Sequence, residues 1–199
     1  MTSAGMSASI AADRARANAD ARLLALARES RAEALELMYS AYKSRIYTFL
    51  LRLLSDPAGA DDLTQDVFTK AYQALGSLTP EHRVLPWLYR IATNTAIDHL
   101  RRRRRFTWLR VGRLEGTGEE PLMPDRHGEV PERDHVRRTL AQLPGEQSTA
   151  LLLHALEGYS YKEIAEIQNS TVTAVRSRLA RARKAFRARY ATTEPAEPS

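Results

Sequence analysis

Apolar residues recur at spacings of three and four along most of this 199-residue chain, the period of helices with one buried side. From residue 22 to 54 the pattern runs through Leu35, Met38, Tyr39, Tyr42, Ile46, Phe49, Leu50 and Leu53, with a break predicted near Glu29-Ser30. The turn cluster Ser55-Asp56-Pro57-Ala58-Gly59 ends it. A helix is predicted over 60–75, with Asp61 and Asp62 at its positive end. Leu63, Val67, Ala71 and Leu75 point inward there, with Phe68 and Tyr72 beside them. After a loop at 76–85, Pro86 suits the first turn of a helix over 86–105, where a missing amide costs nothing. Leu88, Ile91, Ala92 and Thr95 are its inward side. Two more helices are predicted at 132–143 and 146–157, punctuated by Pro144-Gly145 and stopped by Gly158.

The stretch 160–183, SYKEIAEIQNSTVTAVRSRLARAR, reads as a helix-turn-helix. Ser160 and Glu163 have capping-box spacing, in which each side chain satisfies an orphan amide at a helix start. Ile164, Ala165 and Ile167 form the apolar side of the first short helix. Asn169-Ser170 supplies the turn, because Asn tolerates left-handed backbone. Val172, Val175, Leu179, Ala182 and Phe186 are predicted as one buried stripe of the second helix. Roughly opposite stand Thr173, Ser177, Ala180, Arg181 and Lys184, with Arg176 and Arg183 on the flanks. Small polar residues let a helix sit deep in a major groove, and arginine forks onto guanine or clamps phosphate. A core helix with a solvated basic face is the blander alternative.

Charge adds to this picture because it is unevenly spread. Residues 32–105 carry 11 Lys/Arg against 8 Asp/Glu, and residues 132–191 carry 11 against 6. Between them, 106–131 has 3 basic and 5 acidic residues, with four glycines and three prolines and no sustained period. Two basic blocks joined by an acidic linker suggest two contacts with a polyanion. Residues 1–20 are small, polar and Ala-rich, and read as a frayed extension joining a helix from about Ala11. The chain has no cysteine, which excludes disulfides and thiolate metal sites. Absence of a membrane-length apolar run and of a signal-like N-terminus predicts a soluble, cytoplasmic protein.

Candidate chemistry concentrates in PWLYRIATNTAIDHLRRRRR, residues 86–105. Trp87, Arg90, Asn94, Asp98, Arg101 and Arg105 fall on or near one side. A ring can stack on an unpaired base, an amide can read a base edge, and guanidinium groups track phosphates. A core Trp, a solvated Asn and a basic helix end are an equally good account of the same residues. Catalysis finds no support: His82, His99, His127, His135 and His154 lack metal-ligand spacing, and no phosphate loop or nucleophile elbow is present. No cofactor is expected.

Three segments in order resemble the extracytoplasmic-function (ECF) group of bacterial RNA polymerase sigma factors: DDLTQDVFTKAYQAL at 61–75, the 86–105 segment, and LPGEQ…LEGYSYKEIAEI…VRSRLARAR at 143–183. The resemblance implies an all-α protein of two small helical domains, sigma regions two and four, on a flexible linker. It divides the chain into an extension at 1–30, partly disordered and without an assigned role, region two at 31–105, a linker at 106–131, region four at 132–190 and a tail at 191–199. It implies a non-catalytic initiation factor that binds the clamp and flap of core polymerase and engages double- and single-stranded promoter DNA. It also implies restraint by an anti-sigma factor.

Asp62, Gln65, Asp66 and Phe68 occupy the D-L-x-Q-[DE]-x-F pattern implied to meet the clamp, although Asp62 and Asp66 also suit plain solvated charge. Trp87, Arg90, Asn94, Asp98 and Arg101 fall where the family holds the melted minus-ten element. Thr171, Thr173, Arg176, Ser177 and Arg181 fall where it reads minus-thirty-five. The linker would then thread the polymerase cleft. Val84, where an aromatic is common, Pro86, and Asn169 in place of the usual glycine depart from the pattern.

Overall fold

The computed structural model describes residues 3–79, 81–111 and 131–192, and among these every regular element is helical. Eight α-helices follow in chain order: α1 (Ser3–Glu29), α2 (Arg31–Leu54), α3 (Pro57–Ala74), α4 (Val84–Val111), α5 (Pro131–Ala141), α6 (Gly145–Ala155), α7 (Tyr161–Ile167) and α8 (Val172–Thr192). A 3-10 turn, Leu75–Ser77, closes α3.

Local chemistry explains the boundaries. Ser30, in extended backbone, breaks α1 from α2, and its hydroxyl accepts from the Glu33 amide at 3.4 Å. Ser55 ends α2 in the left-handed region at φ 52°. Asp56 then caps α3 by accepting from the Ala58 amide at 3.1 Å, with Pro57 in the first turn. This cap starts α3 at Pro57 rather than at residue 60. Gly59 belongs to the same device, since a Cβ there would lie 2.8 Å from Asp56 Oδ2.

Other boundaries move outward from the sequence expectation. α1 begins at Ser3, not near Ala11, because an alanine-rich segment has high helix propensity even where it is polar. Its C-terminal part is structural: Leu23, Leu24 and Ala27 are buried. α4 starts at Val84 and continues six residues past Arg105 into the expected linker, because no helix breaker precedes Gly112. Residues 112–130, most of the linker, lie outside the described residues, as do 193–199 of the tail.

α1–α4 form one helical unit around α2, with Met38, Ile46, Phe49, Leu50, Leu53, Val67, Leu88, Tyr89 and Ala92 in its core. Leu63, Ala71 and Leu75 are inward as the pattern predicts, but Tyr72 is exposed. α5–α8 form the second unit, where Leu143, Leu153, Ile164, Ile167, Val175 and Leu179 are buried and α5 and α6 cover the apolar side of α8. Val172 departs from the predicted stripe. It stands at the open end of α8 and is 39% exposed.

The two units also touch. α2 meets α5 and α6, and α4 meets α6 and α7. Gly145 makes the closest approach possible, since a Cβ there would lie 3.3 Å from Ile97 Cγ1 and 3.5 Å from Leu100 Cδ1. An aromatic chain crosses the seam: Phe49 meets Tyr89 edge-on at 5.1 Å, and Tyr89 meets Tyr159 at 5.6 Å. Burial pushes the Tyr159 phenol up to about 12, so it stays neutral at ordinary pH.

Candidate nucleic-acid interface

α4 presents a mixed stripe because its apolar residues are taken up inside. Leu88, Ala92 and Thr95 are buried, which turns Arg90, Asn94 and Asp98 outward one helical turn apart. Trp87 is half-buried against the core with one side left on the surface. These four residues line one shallow cavity of about 280 Å³, completed by Lys70, Ala74, Ile91 and Thr95. Lys70 Nζ donates to Thr95 Oγ1 at 2.9 Å, which fixes a cation from α3 at the cavity wall. An aromatic edge, an amide, two cations and a carboxylate in one depression can stack, hydrogen-bond and charge-pair with an unpaired nucleotide.

Arg101 does not join them. It pairs with Asp98 at 3.8 Å and with Glu146 of the second unit at 3.2 Å. Next to the stripe, His99 is held below its usual range by burial and by Arg102 and Arg103, which favours the neutral ring.

The second surface is the helix-turn-helix, and its local design is the one its spacing predicts. Ser160 Oγ accepts from the Glu163 amide at 3.3 Å, and Glu163 Oε2 accepts from the Ser160 amide at 2.9 Å. Burial opposes ionisation of Glu163, but the Ser160 amide and hydroxyl and the Arg83 guanidinium outweigh it. They hold the carboxyl below its ordinary range. Asn169 takes the left-handed turn at φ 47°. Thr173, Arg176, Ser177 and Arg181 are all exposed along α8. Thr171 is exposed too, but its Oγ1 accepts from the Ala174 amide at 3.1 Å and so caps α8.

On α3, Asp62, Gln65 and Asp66 are exposed on a common face, and Gln65 Nε2 donates to Asp61 Oδ2 at 3.4 Å. Phe68 is different. Only 4% exposed, it packs edge-on to Tyr39 at 4.9 Å and supports that face from inside instead of forming part of it.

Several residues that matter here escaped the sequence reading. Glu146 bridges the units, accepting from Arg101 at 3.2 Å and from Arg178 at 2.9 Å. Gln168 accepts from Arg178 at 3.0 Å and donates to Thr149 Oγ1 at 2.8 Å. Arg83 pairs with Glu163 at 3.0 Å, and Arg45 with Glu157 at 3.1 Å. Each pair joins residues far apart in the chain, so no local spacing announces it. Lys70 has a faint signal, as the one cation on a helix whose other charged residues are acidic. Among the described residues, no group of three or more His, Cys, Asp or Glu gathers as a metal site, and no helix is long and apolar enough to cross a membrane.

Sigma-70 region 2 matches residues 38–106, and Sigma-70, region 4 matches residues 133–186. The RNA polymerase sigma-H factor of Pseudomonas aeruginosa is 37% identical over 166 residues, covering 77% of this chain and 84% of that protein. The chain belongs to the ECF sigma factors. The ECF RNA polymerase sigma-E factor of Escherichia coli K12 is 35% identical over 77% of this chain and 85% of its own length. SigW of Bacillus subtilis is 32% identical over 73% and 83%.

Among solved structures, CnrH in complex with the cytosolic domain of CnrY superposes with a TM-score of 0.64 at 26% identity, over 88% of this chain and 99% of that one. The sigma factor RpoE of Bartonella quintana, in complex with the anti-sigma factor NepR, has the same fold, with a TM-score of 0.60 at 23% identity over 80% and 98%. In this ECF sigma factor the region 2 match runs from Met38 through α2, α3 and most of α4, and the region 4 match spans α5–α8 except for its ends. Its role is accordingly in transcription initiation, as a regulatory DNA-binding protein.

Proposed function

We propose that this sigma factor binds core RNA polymerase, directs it to promoters by reading both a minus-ten and a minus-thirty-five element, and helps melt the DNA. The observation that supports the reading is that one chain carries two unlike surfaces, each with side chains suited to a different form of nucleic acid. The α4 cavity, with Trp87, Arg90, Asn94, Asp98 and Lys70, suits an unpaired base. The exposed side of α8, with Thr173, Arg176, Ser177 and Arg181, suits a duplex major groove. A regulator that binds only duplex operators has no use for the first.

The remaining assignments follow chemically. Arg101 acts as a phosphate contact at the end of the minus-ten stripe once released from Glu146. Thr171 positions α8 through its cap and can donate its hydroxyl to a backbone phosphate. Asp62, Gln65 and Asp66 offer the polymerase clamp an acidic, hydrogen-bonding face, braced by Phe68 beneath. Region two is taken as 31–105, extended by α1 and the end of α4, and region four as 132–190. A protein antagonist that covers these surfaces is part of the proposal: the CnrH structure is a complex with the cytosolic domain of CnrY.

The test is transcription in vitro, mixing the full chain with core polymerase and a library of genomic DNA fragments. Discrete start sites that depend on the added protein are expected, and they deliver the promoter sequence. Protection of duplex fragments by the protein alone, with no new starts, would replace the proposal with a stand-alone regulator.

A further inference from the structure

The helix that precedes region two carries a carboxylate-to-helix contact that the function above does not use. Asp20 lies on α1, is only 7% exposed, and has both carboxylate oxygens engaged. Oδ2 accepts from the Val84 amide at 3.1 Å, and Oδ1 accepts from the Tyr42 hydroxyl at 3.0 Å. Val84 is the first residue of α4, where the leading amides have no acceptor within the helix. A buried carboxylate is costly unless it is hydrogen-bonded, and a helix N-terminus both donates to it and favours its charge. α4 therefore takes its cap from a residue 64 positions earlier, on a different helix.

The placement gives that cap a consequence. Trp87 lies in the first turn of α4 and Arg90 in the next, and both line the α4 cavity. Tyr42 ties the same carboxylate to α2, the helix at the centre of the unit. Leu23, Leu24 and Ala27 bury the following turns of α1, so Asp20 is held on a packed helix. The family match begins only at Met38, leaving Asp20 outside it.

We propose that Asp20 is a positioning residue for promoter opening, fixing the first turn of α4 to α1 and α2 so that Trp87 and Arg90 stay aligned over the cavity. The inference rests on the minus-ten reading above. It gives the segment before region two a defined task.

The test compares holoenzymes carrying the wild-type chain, Asp20→Ala, Asp20→Asn and Tyr42→Phe. Three quantities are measured: affinity for core polymerase, open-complex formation by permanganate reactivity, and amide hydrogen exchange across residues 84–91. Asp20→Ala is expected to speed exchange in that segment and slow opening about threefold to thirtyfold, the range that loss of a helix cap supports. Core affinity should stay within about twofold of wild type, because the exposed α3 face is untouched. Asp20→Asn keeps an oxygen for the Val84 amide and should recover most of both defects, and Tyr42→Phe should fall between.

Unchanged opening in Asp20→Ala beside an active wild type overturns this proposal alone. So does a loss of core affinity that matches the loss of opening and is not rescued by Asp20→Asn, which marks general destabilisation. A wild-type holoenzyme that opens no promoter overturns the minus-ten reading and the proposal with it.

Discussion

At the scale of single residues, the division of labour is between side chains that face out and side chains that hold them there. Asn94 is exposed on α4 and lines the cavity together with Trp87 and Asp98. Replacing it with Ala should therefore weaken minus-ten selection or opening while leaving core polymerase affinity and melting temperature unchanged; a drop in core affinity would show the assignment to be wrong. On α8, Arg176→Ala or Arg181→Ala should cost about 1–3 kcal/mol of discrimination at one minus-thirty-five base pair if the lost contact is bidentate. Competition binding by holoenzyme on promoters altered base by base measures this, and an even loss over all sequences would reassign the residue to phosphate. Phe68 and Thr171 teach the converse lesson. Their residue types fit the motif, yet one is buried against Tyr39 and the other is committed to a cap.

At the scale of elements, the helix-turn-helix stands or falls with two local devices. The reciprocal Ser160–Glu163 cap and the left-handed Asn169 define where α7 starts and where the chain turns into α8. Ser160→Ala should destabilise the protein by about 0.5–2 kcal/mol, the usual cost of a lost N-cap, with thermal unfolding as the measurement. At residue 169 a glycine should be tolerated and a valine should not, since a β-branched side chain at positive φ is strained. Circular dichroism melts that rank Val at or above Asn would contradict this. Both devices were legible in advance because each lies within four residues of its partner. The starts of α3 and α4 are less so: in the sequence Asp56 belongs to a turn cluster that hides its role as a cap, and the partner of the Val84 amide lies on another helix.

At the scale of the whole molecule, the two proposed DNA surfaces are not independent, because Glu146 neutralises an arginine from each unit. Engagement of DNA by both units is expected to break the Arg101 pair, which crosses the seam, while the Arg178 pair lies within the second unit and can persist. Glu146→Gln should loosen the seam, seen as lower energy transfer between labels on α3 and α8. An exposed pair is worth at most about 1 kcal/mol, and only the Arg101 pair crosses the seam, so the shift in the closed fraction should stay within about fivefold. An unaltered transfer signal would show that apolar contacts around Gly145 hold the seam unaided.

Acid should act on the same seam through Glu163. Its carboxyl is depressed below the ordinary 4.5, so its contribution is complete above that value and is lost as pH falls through the lower, folded one. The Arg83 contact and the α7 cap should weaken together on the acid side, and Glu163→Gln should flatten that part of the stability profile. Helix class, the helix-turn-helix, the exposed stripes and the family were written in the order of residues, because capping, turning and a 3.6-residue period are set by near neighbours. The seam, the Glu146 bridge and the Asp20 cap depended on folding, because each joins groups whose separation along the chain carries no periodic signal and whose charges find partners only once the helices pack.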